Sequence, residues 1–403
     1  MPKLHFVVNE DWAFVSHFFE RAVAAQAAGH SVGISAHCGE KQSLLKGAGF
    51  TLYPHNISRS GTNPFIEIRN LLAMVKVFRK SQPDIIHLIA LKPIVIGAIA
   101  ARIYGKAQVV CAPIGMGYLF SSSDRKARFL QPVIRFMLRR ILSLRNTQVI
   151  IENDEDCESL ISGKFVEKSN IQVIMGAGVD LSLYKAIPEN LETQVVTMFA
   201  RVLRDKGVLD YVEAANIVHT QFPKAVFQLV GDSDPGNPTS FSEKEVRSWE
   251  TAGSIKWLGY RTDVPELLAA SNIVCLPSYR EGLPKTLIEA CAAQRAIVAT
   301  DVTGCREVVA HESNGLLVPV RNPQKLAHAI AQLLRDPVQR TTFAKNGRVR
   351  AETEFASPVV PNGAKLILFF KVCSSVQVAS LSNTDLIILS CNTSLNSTSG
   401  KHV

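Results

Sequence analysis

Along most of the chain, short apolar runs alternate with longer stretches whose apolar residues recur every three or four positions. The runs are rich in β-branched residues and read as buried strands, whereas the longer stretches read as amphipathic helices. Leu4–Val8 opens the series as a strand, followed by a loop and a helix from about Ser16 to Ala28. Gly29 supplies the stop for that helix. Further strands are predicted at Ser31–Ala36, Phe50–Tyr53, Asp84–Leu88, Ala107–Ala112, Thr147–Ile151 and Ile171–Met175. Between them lie a short helix ending at Ala48 and helices at Pro64–Lys80, Pro93–Tyr104, Asp124–Arg145 and Glu155–Ser162. Such alternation predicts a parallel, doubly wound sheet.

From Gly176 through Pro188 to Thr193 the periodicity fades, as in a linker, and then a second alternation begins. Its strands are Gln194–Ala200, Val226–Gly231, Ile255–Leu258, Ile273–Leu276, Ala296–Thr300 and Gly315–Val318. Its helices fall at about Gly207–Gln221, Ser242–Thr251, Val264–Ala270, Pro284–Ala293, Pro323–Leu334 and Val338–Phe355. The expected class is α/β, with two Rossmann-like, doubly wound parallel-sheet domains facing a cleft. They span residues 1–178 and 194–355, with 179–193 as linker. Residues 356–403 become rich in Ser, Thr and Asn without a helical period, and read as an atypical, poorly ordered tail.

A net charge of +9 and a pI near 9.1 point to anionic partners such as a nucleotide, a diphosphate lipid, a membrane surface or nucleic acid. The eight cysteines are scattered without a Cys-x-x-Cys pair, a reduced, cytosolic pattern with no zinc site. The N-terminal apolar run after Lys3 is a strand and not a signal peptide. The longest apolar stretch, Ile85 to Ile103, is broken by His87, Lys92, Pro93 and Arg102, so no spanning helix is predicted. Asp232-Ser-Asp234 sits in a Pro/Gly loop without further clustered oxygen ligands, and a metal site there is set aside. No Gly-x-Gly-x-x-Gly turn follows an early strand, which argues against a dinucleotide-dependent oxidoreductase. The helix over Asp124–Arg145 interleaves Arg125, Lys126, Arg128, Arg135, Arg139, Arg140 and Arg145 with apolar residues. It reads either as a membrane-surface helix or as a core helix with basic edges, and the two are compatible. Without an aromatic platform among these charges, nucleic-acid binding is disfavoured.

One stretch carries most of the candidate chemistry: Ser278-Tyr-Arg-Glu-Gly-Leu-Pro-Lys-Thr-Leu-Ile-Glu-Ala290. It begins where the strand 273–276 ends and passes at Pro284 into a helix, so Arg280 to Leu283 form a strand-to-helix turn. Open α/β sheets bind ligands at that edge, and a helix N-terminus favours an anion such as a diphosphate. Glu281 lies at the turn and Glu289 about two helical turns deeper. Two carboxylates there can grip a sugar hydroxyl and a ribose diol; surface glutamates are the plain alternative. Arg201 and Lys206, in Phe199-Ala-Arg-Val-Leu-Arg-Asp-Lys-Gly207, follow the first strand of the second half toward the same edge. A cation pair at that place stabilises charge on a leaving diphosphate.

Glu281-Gly-Leu-Pro284 with Glu289, followed by Ala299-Thr-Asp-Val-Thr-Gly-Cys-Arg-Glu307, resembles the Glu-x7-Glu motif of family 4 retaining glycosyltransferases with the GT-B fold. The resemblance covers roughly residues 1–355 and is strongest over 196–320. Phe6–His17, Ile85–Arg102 and Gly115–Phe120 resemble the branch that builds bacterial capsule and O-antigen repeat units. It implies a retaining transferase moving a sugar, such as an N-acetylhexosamine, from a UDP-sugar to an undecaprenyl-diphosphate-linked acceptor. The acceptor attacks on the face the diphosphate leaves, through an oxocarbenium-like state, with no metal, cofactor or glycosyl-enzyme intermediate. The place implied is the inner face of the cytoplasmic membrane, to which the protein is bound peripherally.

By this resemblance Glu281 holds sugar hydroxyls, Glu289 the ribose, and Arg201 with Lys206 the diphosphate. Gly282, Leu283 and Pro284 line the donor turn, and Arg261 with Tyr260 belongs to a base-binding loop. His87, expected at a strand's carboxyl end, approaches the transferred sugar or is a core histidine; Lys92 is an acceptor or donor contact. Members with a glycine pair in the first loop bring it near the donor phosphates; Asn9-Glu10-Asp11-Trp12 has none. Asp11 and His17 are therefore acceptor-contact candidates, with an N-cap or surface role as the alternative. Ile114-Gly-Met-Gly117 is a loop able to approach a ligand. Relatives end in a helix that returns to the first half, which this chain lacks beyond Phe355, and that departure bears on activity and stability. Two other readings stand beside the transferase: a GT-B sugar-nucleotide epimerase, and a non-catalytic membrane-associated subunit.

Overall fold

The computed structural model of the chain describes residues 2–57, 63–113, 125–144, 146–174 and 178–357. The expected loop at 114–117, the matching string at 115–120 and the tail beyond 357 lie outside the described residues.

The first half is one parallel sheet of seven strands: β1 (Lys3–Glu10), β2 (Ser31–His37), β3 (Thr51–Leu52), β4 (Ile85–Ile89), β5 (Gln108–Ala112), β6 (Thr147–Ile151) and β7 (Ile171–Val173). Their order is β3-β2-β1-β4-β5-β6-β7. The inner strands are apolar on both faces because helices cover both sides. On one face Met74, Phe78, Ile94, Leu138 and Leu142 pack against Ile86, Leu88 and Val109. On the other, Phe14, Phe18 and Ala22 cover Phe6, Ile34 and Val110.

After β8 (Val179–Asp180) the second half forms a six-stranded parallel sheet: β9 (Val195–Phe199), β10 (Val226–Val230), β11 (Lys256–Gly259), β12 (Ile273–Leu276), β13 (Ala296–Thr300) and β14 (Gly315–Val318). The order is β11-β10-β9-β12-β13-β14. The segment read as plain linker therefore contains a strand, and β15 (Ala356–Ser357) pairs with it in parallel. Two-residue strands carry no readable hydrophobic period.

The first helix also differs from expectation. It begins at Asp11, ends at His17, and gives way at Phe18 to a second helix, Phe19–Ala27. Both sheets reverse their direction of winding at one place, between β1 and β4 in the first and between β9 and β12 in the second. Ligands of open α/β sheets bind outside the carboxyl ends of strands at such switch points.

Candidate active site

The switch point of the second sheet is built by two turns. One follows β9 and carries Arg201 and, in a single 3-10 turn, Arg204–Lys206. The other joins β12 to the helix Lys285–Ala292. Backbone contacts hold them together: Tyr279 N–H donates to the Asp205 carbonyl at 2.9 Å. The hydroxyl of Thr300, at the end of β13, donates to the Ser278 carbonyl. Gly207 closes the 3-10 turn at φ 71°, where a Cβ would come within 2.0 Å of the Pro277 carbonyl oxygen. Gly304 supports the other turn from below, since a Cβ there would lie 2.4 Å from the Gly282 oxygen and 2.7 Å from the Glu281 oxygen.

Glu281 and Lys206 meet directly, with Nζ 2.6 Å from Oε1 and little of either side chain exposed. Arg201 pairs with Asp234 at 2.7 Å, and its guanidinium lies 5.9 Å from the centroid of Trp12, in the first half. The carboxylates of Asp232-Ser-Asp234 are thus engaged locally: Asp232 accepts from the Tyr260 N–H at 2.9 Å. Glu289 is buried one turn below Lys285, whose Nζ is 3.6 Å away. Burial raises the Glu289 carboxyl above its ordinary range, against the pull of Lys285 and a hydrogen bond from Tyr184. Gly282, Leu283 and Pro284 form the turn itself, and Pro284 immediately precedes the helix.

The first half closes onto this turn through three segments. Lys285 Nζ donates to the Ser16 carbonyl at 3.1 Å, fastening the helix Asp11–His17. Asn153, fully buried after β6, donates to the Gly282 carbonyl at 3.1 Å while its own oxygen caps the helix Asp154–Ser162. Beyond it Arg280 pairs with Asp156 and Arg306 with Glu155, each at 2.9 Å.

His17 faces this assembly. Burial brings its imidazole down to about 4, and Lys285, Arg21, Lys206 and Arg201 add to the effect. Glu152, next to Asn153, was not singled out from the sequence. Its Oε2 would be 3.1 Å from a Cβ on Gly282. Burial pushes its carboxyl up to about 6, with Arg21 opposing and Asp156 and Glu281 reinforcing the rise. The available sequence signal was the helix-capping Asn153 after a strand, which marks a strand end at the cleft edge.

Several expectations need correction. Asp11 is buried, and its carboxylate accepts from the Gly39 and Lys41 N–H groups at 2.6 and 3.1 Å. It ties the β2 loop to the first helix. His87 lies in mid-strand, opposite Phe6 in β1, and not at the end of β4. It is fully buried, with the Phe6 and Phe18 rings 5.2 and 5.7 Å away, and burial lowers its imidazole to about 3. Its placement is that of a core histidine. The strand continues to Ile89 and turns at Ala90, whose φ of 72° is rare outside glycine. Lys92 follows that turn and pairs with Glu67 at 2.6 Å. Arg261 is held by both oxygens of Asp263 at 2.8 and 2.5 Å on an exposed loop.

Residues 183–350 match the glycosyl transferases group 1 family and residues 3–152 the glycosyl transferase 4-like family. The N,N'-diacetylbacillosaminyl-diphospho-undecaprenol alpha-1,3-N-acetylgalactosaminyltransferase of Campylobacter jejuni is 30% identical over 321 residues, 76% of this chain and 82% of that protein. The UDP-Gal:alpha-D-GlcNAc-diphosphoundecaprenol alpha-1,3-galactosyltransferase of Escherichia coli is 27% identical, over 68% of this chain and 72% of its own. In fold the chain resembles sucrose-phosphate synthase of Thermosynechococcus elongatus, with TM-score 0.75 and 20% identity over 94% of this chain and all of that one. Anabaena HepE, solved with UDP and glucose, gives 0.74 and 21% over 93% of this chain and all of its own. With both halves matched and the two-sheet architecture in agreement, the chain belongs to the glycosyl transferases group 1 family of GT-B glycosyltransferases.

Proposed function

We propose that the protein transfers a hexose or N-acetylhexosamine, with retention, from a UDP-sugar to an undecaprenyl-diphosphate-linked saccharide. The reaction belongs to surface polysaccharide assembly. The Lys206–Glu281 pair at the switch point of the second sheet carries this reading. A donor entering there finds a cation for its diphosphate and a carboxylate for its sugar hydroxyls, already in register. Arg201 gives the second cation once it turns from Asp234, and Glu289 reaches the ribose. In the reaction the bond from the anomeric carbon to the β-phosphate breaks, and a bond to the acceptor oxygen forms on the same face. The acceptor proton leaves with UDP. Preformed cations stabilise the charge that develops on the leaving phosphate. The acceptor is expected against the first half, at the β1–β4 switch point, where Lys92 and the helix Asp11–His17 stand.

Delivery of a lipid-linked acceptor calls for a membrane face. The helix Arg125–Leu142 leaves Val133 57% and Phe136 60% exposed beside Arg135, Arg139 and Arg140, while Leu138 and Leu142 are buried in the core. On the helix Pro64–Ser81, Phe65 is 82% exposed, and Ile66 and Ile68 are exposed with it. Apolar side chains ringed by arginines suit an anionic bilayer surface. Among the described residues no helix is long and apolar enough to cross a membrane.

The test is UDP release from a panel of UDP-sugars, with and without a short-chain polyprenyl-diphosphate-linked N-acetylhexosamine, for wild type and Glu281→Ala. Acceptor-dependent release from one donor, lost by at least about a hundredfold in the variant, is the expected result. Release of an epimerised sugar nucleotide, or donor binding without turnover, contradicts the proposal.

A further inference from the structure

The helix Asp11–His17 is pinned at both ends. Asp11 clips it to the β2 loop through two backbone N–H groups, and Lys285 of the second half donates to the Ser16 carbonyl. Between these pins stands Trp12, at the carboxyl end of β1 and therefore at the switch point of the first sheet. The residue is 40% exposed. Its neighbour across the cleft is the Arg201 guanidinium, over the ring and 5.9 Å from its centroid. A partly exposed indole on a helix fastened this firmly, at the edge facing the second half, is well suited to bind the C–H face of a sugar ring. The adjoining arginine keeps that surface next to the phosphate end of the donor.

We propose that Trp12 is the platform on which the acceptor's terminal saccharide stacks, placing its hydroxyl beside the donor's anomeric carbon. This rests on the transferase reading above. The ring is a specificity determinant: it selects a saccharide-bearing lipid over the bare lipid diphosphate. It also gives the first loop, which lacks glycines, a role on the acceptor side of the cleft.

The test uses tryptophan fluorescence of the full chain with farnesyl-diphosphate-linked N-acetylglucosamine, farnesyl diphosphate and UDP as separate probes. Of the three tryptophans, Trp249 packs against Phe241 and the Trp257 indole donates to the Gly231 carbonyl, so the difference between wild type and Trp12→Phe isolates the cleft residue. The sugar-bearing probe is expected to perturb the Trp12 component, and farnesyl diphosphate is not. Trp12→Ala should weaken binding of the sugar-bearing probe by about tenfold, with UDP affinity changed by less than about threefold and Trp12→Phe in between. An equal response to the sugarless lipid, no response to either lipid, or a loss of UDP affinity as large as that for the saccharide overturns the platform. In the last case the ring serves Arg201 alone. Binding that perturbs Trp12 without any sugar transfer leaves the platform standing and overturns the catalytic reading instead.

Discussion

Glu152 stands at the carboxyl end of β6 with Asp156 and Glu281 as like-charged neighbours and Arg21 opposing them. Its carboxyl, brought up to about 6, binds its proton more tightly in the folded protein than in the unfolded chain. The stability this group contributes is complete below its ordinary pKa of 4.5 and is lost as pH rises through about 6. Glu152→Gln is therefore expected to raise the unfolding midpoint above pH 7, by roughly 1–2 kcal/mol in stability, with the gain vanishing near pH 4. Thermal melts of both proteins across that range check it; a variant less stable at pH 8 would show that the ionised carboxylate is held by Arg21 more strongly than burial penalises it. The same residue shows where reading from sequence stops. The placement of Arg201, Lys206 and Glu281 at one sheet edge was legible because each lies within a local strand-to-helix turn. Glu152 and Tyr184 gain their roles only when distant parts of the chain meet. The partners of Asp11 are hidden from the sequence for the same reason, since they are Gly39 and Lys41 on another loop. His87 was misplaced because β4 runs on to Ile89 before it turns.

At the level of elements, the donor turn depends on what lies beneath it. Gly304, in the short helix Thr303–Val308, lets the backbone of Glu281 and Gly282 rest directly on it. Gly304→Ala is expected to lower kcat/KM by about a hundredfold through displacement of the Glu281 turn, with only a modest fall in Tm. Near-normal turnover in a folded variant would show that the turn adjusts without loss. The strands of the second half agree with the sequence pattern to within a residue or so, because each is a short, mostly apolar run bounded by breakers and all but the edge strand Lys256–Gly259 are largely buried. The helix Thr303–Val308 had no signal of its own, being too short to display a period. The helix Arg125–Leu142 was legible as basic and amphipathic, and it buries one set of its apolar residues and exposes another. Leu138 and Leu142 pack in the core while Val133 and Phe136 remain outside. Replacing Arg135, Arg139 and Arg140 together by Glu is expected to reduce co-sedimentation with anionic vesicles by about a hundredfold at low salt, at roughly 1 kcal/mol per lost charge. Unchanged sedimentation would move the membrane face elsewhere.

At the level of the whole molecule, the first half carries four histidines that folding keeps neutral. Burial lowers His5 and His87 to about 3 and His17 and His55 to about 4, with neighbouring charges contributing in each case. Unfolding frees all four to bind protons, so stability is complete above about pH 6.5 and falls as pH drops toward 4. Each histidine adds a slope of up to about 1.4 kcal/mol per pH unit in that window. Equilibrium unfolding at pH 7, 6, 5 and 4 should show an accelerating loss of stability, and a flat profile would place other titrations in compensation. Among the described residues, besides the Asn153 and Lys285 hydrogen bonds, the two halves are joined by the partly exposed ion pairs Arg280–Asp156 and Arg306–Glu155. Contacts of this kind contribute little individually.

The pairing of β8 with β15 changes how much such contacts need to contribute. Where the chain passes into the second half, β8 is met by β15, which follows that half's last helix, and Val179 packs with Phe355 in the same core, so the start of the second half is anchored to its end. Anchoring shortens the free tether between the two cleft walls, and a short tether keeps them at a high effective concentration, as a short linker does for two binding modules. Weak pairs are then enough to close the walls, and weak enough to let them part again.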